Sequence, residues 1–244
     1  MRQGSMLIIE GLNSGYGNFH ILFDVNTVIP EGEITVVVGP NGSGKSTLLK
    51  SIFGLTHVHA GRIKYNGLDL VGMPPHVVCH KGIAYLPQTE NVFANLKVRE
   101  NMRMAGYLVS KHELSQRVDD VLEFFTVLKN YWERKASTLS GGERQMLAMA
   151  MALIKKPEVI MLDEPTASLS PKLVTQVLDQ IVQMRKDLGV TIILAEQNAR
   201  KALEYGDHAL LLVSGTLAFQ GTAAELLNHK ELGRLYLGLH AADA

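Results

Sequence analysis

Only one cysteine, Cys79, occurs among the 244 residues, so no internal disulfide staples the chain. The thiol reads as a small buried side chain in a protein suited to a reducing compartment. Neither sign of charge prevails: 24 Lys and Arg balance 24 Asp and Glu, for a formal net charge of zero. That balance leaves no broad basic surface for a nucleic-acid partner, so any phosphate recognition has to be local. Long apolar runs are missing too. The longest, Met146–Ile154, is under half of the ~20 residues needed to span a bilayer, so a membrane role has to come through partners. No signal peptide is expected, because Met1-Arg2-Gln3-Gly4-Ser5 runs straight into a strand-like stretch; these five residues read as an addition ahead of a natural start at Met6. With 46% hydrophobic and 20% charged residues, the composition is that of a soluble globular protein. The length suits one elaborated domain or two small ones.

What is present is a phosphate loop. Gly39-Pro40-Asn41-Gly42-Ser43-Gly44-Lys45-Ser46-Thr47 fits G-x-x-x-x-G-K-[ST]. Before it, Ile34–Val38 has the β-branched composition of a buried parallel strand; after it, Thr47–Phe53 has helical apolar spacing and stops at Gly54. Glycines let the backbone curl so that successive N–H groups face a triphosphate, and the positive end of the following helix adds to that field. In this motif Lys45 reaches the β- and γ-phosphates and the Ser46 hydroxyl binds Mg²⁺. A glycine-rich turn with no ligand is the bland alternative, and the strand–loop–helix setting weighs against it.

Taken in order, Leu7–Glu10 and Phe23–Val28 read as strands joined by a loop holding Gly15, Tyr16 and Gly17. Tyr16 is either an adenine-stacking ring or a surface turn aromatic. Gly61–Gly67 alternates and ends in Asn-Gly, a hairpin signal, and Met73-Pro74-Pro75 opens a short helix to about His80. Gly82–Gln88 reads as a buried strand with Gln88 just past its carboxyl end, the rim where open α/β sheets collect ligands. From Thr89 to Thr138 the pattern turns helical: Ser110-x-x-Glu113 resembles a capping box, and Phe124, Phe125, Tyr131 and Trp132 read as a local core. The α/β rhythm then returns. A helix runs from Ser140 through Lys155-Lys156, Glu158–Glu164 is a strand, and Ser170-Pro171 opens another helix with serine as N-cap. Thr191–Gln197 is the next strand, a hairpin turns at Ser214-Gly215, Thr222-x-x-Glu225 caps a short helix, and the tail is helical to about Leu237.

Two further stretches carry chemistry. The apolar strand ending in Asp163 and Glu164 delivers two acids to one rim: Asp163 suits a metal held opposite Ser46, and Glu164 suits the orientation or deprotonation of an attacking water. Leu139-Ser140-Gly141-Gly142-Glu143 has two readings. Ser140 and Glu143 form a capping box that needs no ligand. Yet two glycines in a first turn cost roughly 1 kcal/mol each, which a close backbone approach to an anion would explain.

The assembled order of phosphate loop, strand-end glutamine, helical insert, Leu139–Glu143 and Asp163-Glu164-Pro165-Thr166 resembles the nucleotide-binding subunit of ABC transporters over about Leu7–Leu239. The resemblance implies an α/β fold: a P-loop NTPase cassette with a RecA-like mixed-sheet core, an antiparallel β subdomain and an inserted helical subdomain. A single domain is expected over 6–240, with 89–138 as the insert. ATP and Mg²⁺ are the implied cofactors. Tyr16 then looks like the adenine-stacking aromatic, and Gln88 like the glutamine that contacts metal and γ-phosphate. Ser140, Gly141 and Gly142 look like the signature that closes over ATP bound to the opposite subunit. Gln197 stands where a switch histidine is usual, and Ser170 where the loop usually ends in aspartate. Glutamine can donate an N–H to phosphate but cannot titrate, which puts a histidine-dependent step in doubt and leaves room for a weakened site beside a more active related subunit.

Glu196-Gln197-Asn198 with Ala202-Leu203, Ser170-Pro171 and Tyr236-Leu237-Gly238 are similar to the LivF-type ATPases of branched-chain (hydrophobic) amino-acid importers; urea and short-amide importers have similar ATPases. That resemblance implies an ATPase that energises import through an ATP-sandwich dimer. Its expected partners are two membrane-spanning permeases, a second ABC ATPase or its own copy, and indirectly an extracytoplasmic solute-binding protein. Its expected place is the cytoplasmic face of the plasma membrane, with no nucleic acid bound. A non-transport ABC ATPase acting in DNA repair or translation is the other class, disfavoured by a single cassette and neutral charge.

Overall fold

The structure is a computed structural model, and it describes residues 7–231. The expected tail helix to Leu237, the stretch Tyr236-Leu237-Gly238 and the first five residues lie outside them.

Two sheets enclose one helix. In chain order the first elements are β1 (Leu7–Tyr16), β2 (Phe19–Ile29), β3 (Ile34–Val38), α1 (Lys45–Ile52), β4 (His57–Tyr65), β5 (Leu68–Asp69), α2 (Pro75–His80) and β6 (Ile83–Leu86). Two helices follow, α3 (Val98–Ala105) and α4 (Lys111–Phe124), then 3₁₀ turns at Thr126–Tyr131 and Ala136–Thr138. The chain returns to the sheet with α5 (Gly141–Leu153), β7 (Val159–Asp163), α6 (Pro171–Leu188), β8 (Thr191–Ala195), α7 (Ala199–Leu203), β9 (His208–Val213), β10 (Thr216–Thr222) and α8 (Ala223–Asn228).

The larger sheet has the order β10-β9-β3-β8-β7-β6, in which β9, β3, β8, β7 and β6 run parallel and β10 is an antiparallel edge. Its central strands β3, β7 and β8 are buried at every position, as a parallel sheet covered on both faces requires. The smaller sheet, β2-β1-β4-β5, is antiparallel. Between the sheets α1 buries Leu48, Leu49 and Ile52 against Leu12, Leu22, Val25 and Ile63 on one side and Val37 and Met161 on the other. A second core on the far face joins α5, α6 and the helices after β6, with Phe125 at 2% exposure in its helical part and Phe124, Tyr131 and Trp132 packed on its margin. The fold is thus the mixed sheet, antiparallel sheet and helical insert that the resemblance implied.

Three local expectations are corrected. The first hairpin is longer than the composition suggested: Gly15 lies within β1, paired with His20 and His57, and Tyr16 ends the strand opposite Phe19. A Cβ on Gly15 would sit 1.8 Å from the Phe19 carbonyl oxygen, so strand proximity and not loop freedom selects glycine there. Bulges absorb the other polar residues, with the Gly11 N–H donating to Asn26 Oδ1 at 2.7 Å. Helix α5 stops at Leu153, before Lys155-Lys156, and Lys156 turns the chain at φ 51°. Ser170 does occupy the N-cap of α6, but its side chain makes no capping bond; Pro171 at the first position sets the start. The other predicted caps form: Ser110 accepts from the Glu113 N–H, and Thr222 and Glu225 close a capping box.

Candidate functional site

The carboxyl ends of β3, β6, β7 and β8 meet at one rim, and Lys45, Ser46, Gln88, Asp163 and Glu164 gather there. After β3 the chain folds into a tight loop. Gly39 has φ 150°, and a Cβ on it would lie 2.1 Å from the Leu212 carbonyl oxygen of β9. Gly44 has φ 103°, and its Cβ would meet the Leu22 side chain at 2.6 Å. Both positions therefore need glycine for contact as well as torsion. The loop is pinned by the Ser43 N–H to Pro40 O at 3.1 Å and by the Gly215 N–H to Ser43 O at 3.0 Å. Pro40, Asn41 and Gly42 are exposed at its tip, while Thr47 is buried under it on α1.

Lys45 is only 5% exposed. Its ammonium folds back onto the loop, donating to Gly39 O at 2.9 Å and Pro40 O at 3.2 Å, with Glu164 at 4.0 Å. Burial pushes its pKa down, and the carboxylates of Glu164, Asp163 and Glu196 partly restore the charged form. The buried Ser43 hydroxyl has no hydrogen-bond partner. An orphaned buried donor beside a desolvated ammonium is a site short of an anionic acceptor, and phosphate oxygens fit it.

Opposite the loop, Asp163 at 4% exposure accepts the Ser46 hydroxyl on Oδ1 at 2.7 Å and the Tyr85 phenol on Oδ2 at 2.9 Å. Hydroxyl and buried carboxylate oxygens are the hard donors that Mg²⁺ takes. Next to it Glu164 adopts φ 47°, its N–H held on the Ala195 carbonyl at 2.8 Å, and its Oε2 accepts Gln88 Nε2 at 3.0 Å. The cluster Lys45, Ser46, Gln88, Asp163 and Glu164 is therefore assembled within one chain. Tyr16 is 43% exposed at the end of β1, two residues beyond Ser14, whose hydroxyl meets Ser51 of α1 at 2.7 Å.

Ser140, Gly141 and Gly142 start α5, away from this cluster: no hydrogen bond or ion pair joins them to it among the described residues. The capping box is made, with Ser140 N to Glu143 Oε2 at 2.7 Å and Glu143 N to Ser140 Oγ at 3.3 Å. The two glycines also have an internal reason. Cβ atoms there would meet Leu169 at 2.8 Å and Leu173 at 2.9 Å, so α5 packs closely on the segment that opens α6. Gln197 is exposed, and its backbone N–H donates to Glu196 at 3.3 Å.

Two residues at this rim were given no role by the sequence. One is Tyr85. The other is Glu196, 2% exposed at the end of β8, accepting the Thr166 N–H at 3.0 Å and its hydroxyl at 2.8 Å. An acid closing an apolar strand was the available signal, the same one that marked Asp163. Burial raises the Glu196 pKa above its ordinary 4.5 against the hydrogen bonds that lower it, with Glu164 adding to the rise. The folded chain then keeps this proton where the unfolded chain has lost it. Its contribution to stability is greatest in acid and fades as pH rises from 4.5 through the folded pKa. Glu196→Ala strands two buried donors of Thr166 and is expected to lower the unfolding free energy in urea by roughly 2–4 kcal/mol, and to remove that fading.

The sequence profile of the family described as "ABC transporter" matches residues 22–167. The chain belongs to this family. Among its relatives, the probable branched-chain amino acid transport ATP-binding protein LivF of Archaeoglobus fulgidus is 56% identical, over 96% of this chain and 99% of that protein. The high-affinity branched-chain amino acid transport ATP-binding protein BraG of Pseudomonas aeruginosa is 40% identical over 96% of this chain and all of that one. Among solved structures, CbiO1 from Clostridium perfringens, part of the ABC transporter complex CbiONQ, superposes with a TM-score of 0.83 at 29% identity, covering 95% of this chain and 94% of that one. The protein is thus an ABC ATPase that binds ATP and works with membrane permeases. No helix among the described residues is long and apolar enough to cross a membrane itself.

Proposed function

We propose that this chain is the ATP-hydrolysing subunit of an importer of branched-chain, hydrophobic amino acids, seated on the cytoplasmic face of the plasma membrane. The observation that carries the ATPase chemistry is the Ser46–Asp163 pair set beside Lys45 and Glu164. The amino-acid assignment rests on the LivF and BraG relatives.

In this reading the loop amides of Gly39–Thr47 and the Ser43 hydroxyl cradle the phosphates. The Lys45 ammonium leaves the Gly39 and Pro40 carbonyls for the β- and γ-phosphate oxygens. Tyr16 stacks on the adenine. Ser46, Asp163 and Gln88 would hold Mg²⁺, which would supply neutralisation of phosphate charge. Glu164 takes the proton of the attacking water once its Oε2 is released by Gln88, and the Gln197 amide donates to the γ-phosphate in place of an imidazolium. Ser140, Gly141 and Gly142 complete the pocket of a facing cassette, either a second copy or a related ATPase. The domain is a single ABC unit over 6–240 with 89–138 inserted. Two permeases and, indirectly, an extracytoplasmic solute-binding protein complete the system.

Proteoliposomes holding the chain with its cognate permeases, charged with Mg-ATP and given the binding protein, are expected to accumulate labelled leucine. Accumulation of urea or a short amide instead, with leucine excluded, would reassign the substrate.

A further inference from the structure

The carboxylate of Asp163 is buried and has both oxygens occupied, Oδ1 by the Ser46 hydroxyl at 2.7 Å and Oδ2 by the Tyr85 phenol at 2.9 Å. These two donors have different futures. Ser46 is a candidate metal ligand, its hydroxyl oxygen free to offer a lone pair to a cation while its proton stays on Oδ1. Tyr85 has no such second task. It sits on β6, directly beside β7 in register with Met161, and its ring packs against Phe53 with centroids 5.5 Å apart. Its phenol O–H is the donor to Oδ2, and the carboxylate oxygen accepts. An aspartate χ2 torsion is broad and roughly two-fold, so the carboxylate plane is not set by its own rotamer.

We propose that Tyr85 is a positioning residue for the metal-binding carboxylate, its phenol holding Asp163 Oδ2 so that Oδ1 is presented toward Ser46 and the cation. The inference rests on the reading of Ser46 and Asp163 as Mg²⁺ donors. Tyr85 on β6 then bonds Asp163, and Gln88, two residues past the end of that strand, bonds the neighbouring Glu164, so adjacent carboxylates are met by one short stretch of chain. Outer-shell partners of metal ligands commonly change metal affinity by about 10–100-fold when removed.

The test uses Mn²⁺ as the probe, with ATP and the full chain carrying Glu164→Gln to stop turnover. Tyr85→Phe keeps the ring and its Phe53 contact and removes only the hydroxyl. The Mn²⁺ half-saturation, read by electron paramagnetic resonance, is expected to rise roughly tenfold, while ATP affinity in EDTA stays at its starting value. Phe53→Leu loosens the ring packing but keeps the phenol, and is expected to shift the Mn²⁺ titration by clearly less than Tyr85→Phe does. Equal Mn²⁺ affinity with and without the phenol overturns the inference. So does an equal loss of metal-free ATP binding, or a shift reproduced by Phe53→Leu. If the parent with Tyr85 intact binds no Mn²⁺ with ATP, the reading of Ser46 and Asp163 as metal donors falls, and the inference with it.

Discussion

Glu164→Gln is expected to bind ATP as the unaltered chain does, to hydrolyse it at least about a hundredfold more slowly, and to accumulate as an ATP-bound dimer. The size follows from what a positioned base contributes, typically 10²–10⁴ in rate. Glutamine has the shape of glutamate, so the φ of 47° and the backbone bond to Ala195 O at 2.8 Å persist. What disappears is the ability to take a proton, together with one of the negative charges facing Lys45. Losing that charge favours the polyphosphate, because the Lys45 ammonium is then less engaged by the protein itself. Binding is therefore preserved or tightened while chemistry stops. Phosphate release and size-exclusion chromatography with and without Mg-ATP measure the two effects separately. Undiminished turnover in the variant would falsify the assignment of Glu164 as base.

The parts of this site that the sequence displays are those in which local and tertiary demands coincide. The loop Gly39–Thr47 announces itself because Gly39 and Gly44 serve both torsion and contact and Gly42 torsion alone, and the strands β3 and β7 because burial on both faces selects unbroken apolar runs. Caps at Ser110, Ser140 and Thr222 are legible because their partners lie three residues away. Illegible features depend on strands distant in sequence. Gly15 looked like loop material because nothing near it reveals the Phe19 carbonyl across the hairpin. Tyr85 looked like filler in an apolar strand, since its partner Asp163 is far along the chain and becomes adjacent only through the β6–β7 pairing. Glu196 carried the same mark as Asp163, yet its partner Thr166 lies in the loop after β7. The signature glycines show the converse. A ligand-based reason could be inferred from composition, but the close approach of Leu169 and Leu173 emerges only when α5 and α6 pack.

Lys45→Met separates function from stability at one atom. In the folded chain the ammonium is 5% exposed, and burial is the main force on it, depressing its pKa. A charge kept in such a place costs solvation that two backbone carbonyls and a carboxylate at 4.0 Å only partly return. Methionine fills nearly the same volume without that cost, and the Pro40 carbonyl lies at the exposed loop tip where water can replace the ammonium; the loss of the donor to the buried Gly39 carbonyl offsets part of the gain. The variant is therefore expected to unfold within about 1 kcal/mol of the unaltered chain, or to be slightly more stable. ATP binding is a different matter. Charge-assisted hydrogen bonds are worth roughly 1.5–3 kcal/mol each, so removing the ammonium from two phosphates lowers affinity at least about a hundredfold. The consequence appears in melting curves. Ligand at a hundred times its dissociation constant stabilises a folded protein by about 2.7 kcal/mol, so the unaltered chain gains that much from ATP; at the same ATP concentration the variant gains less than about 0.5 kcal/mol. An ATP-induced rise in melting temperature as large in Lys45→Met as in its parent would place the phosphates elsewhere than at this loop.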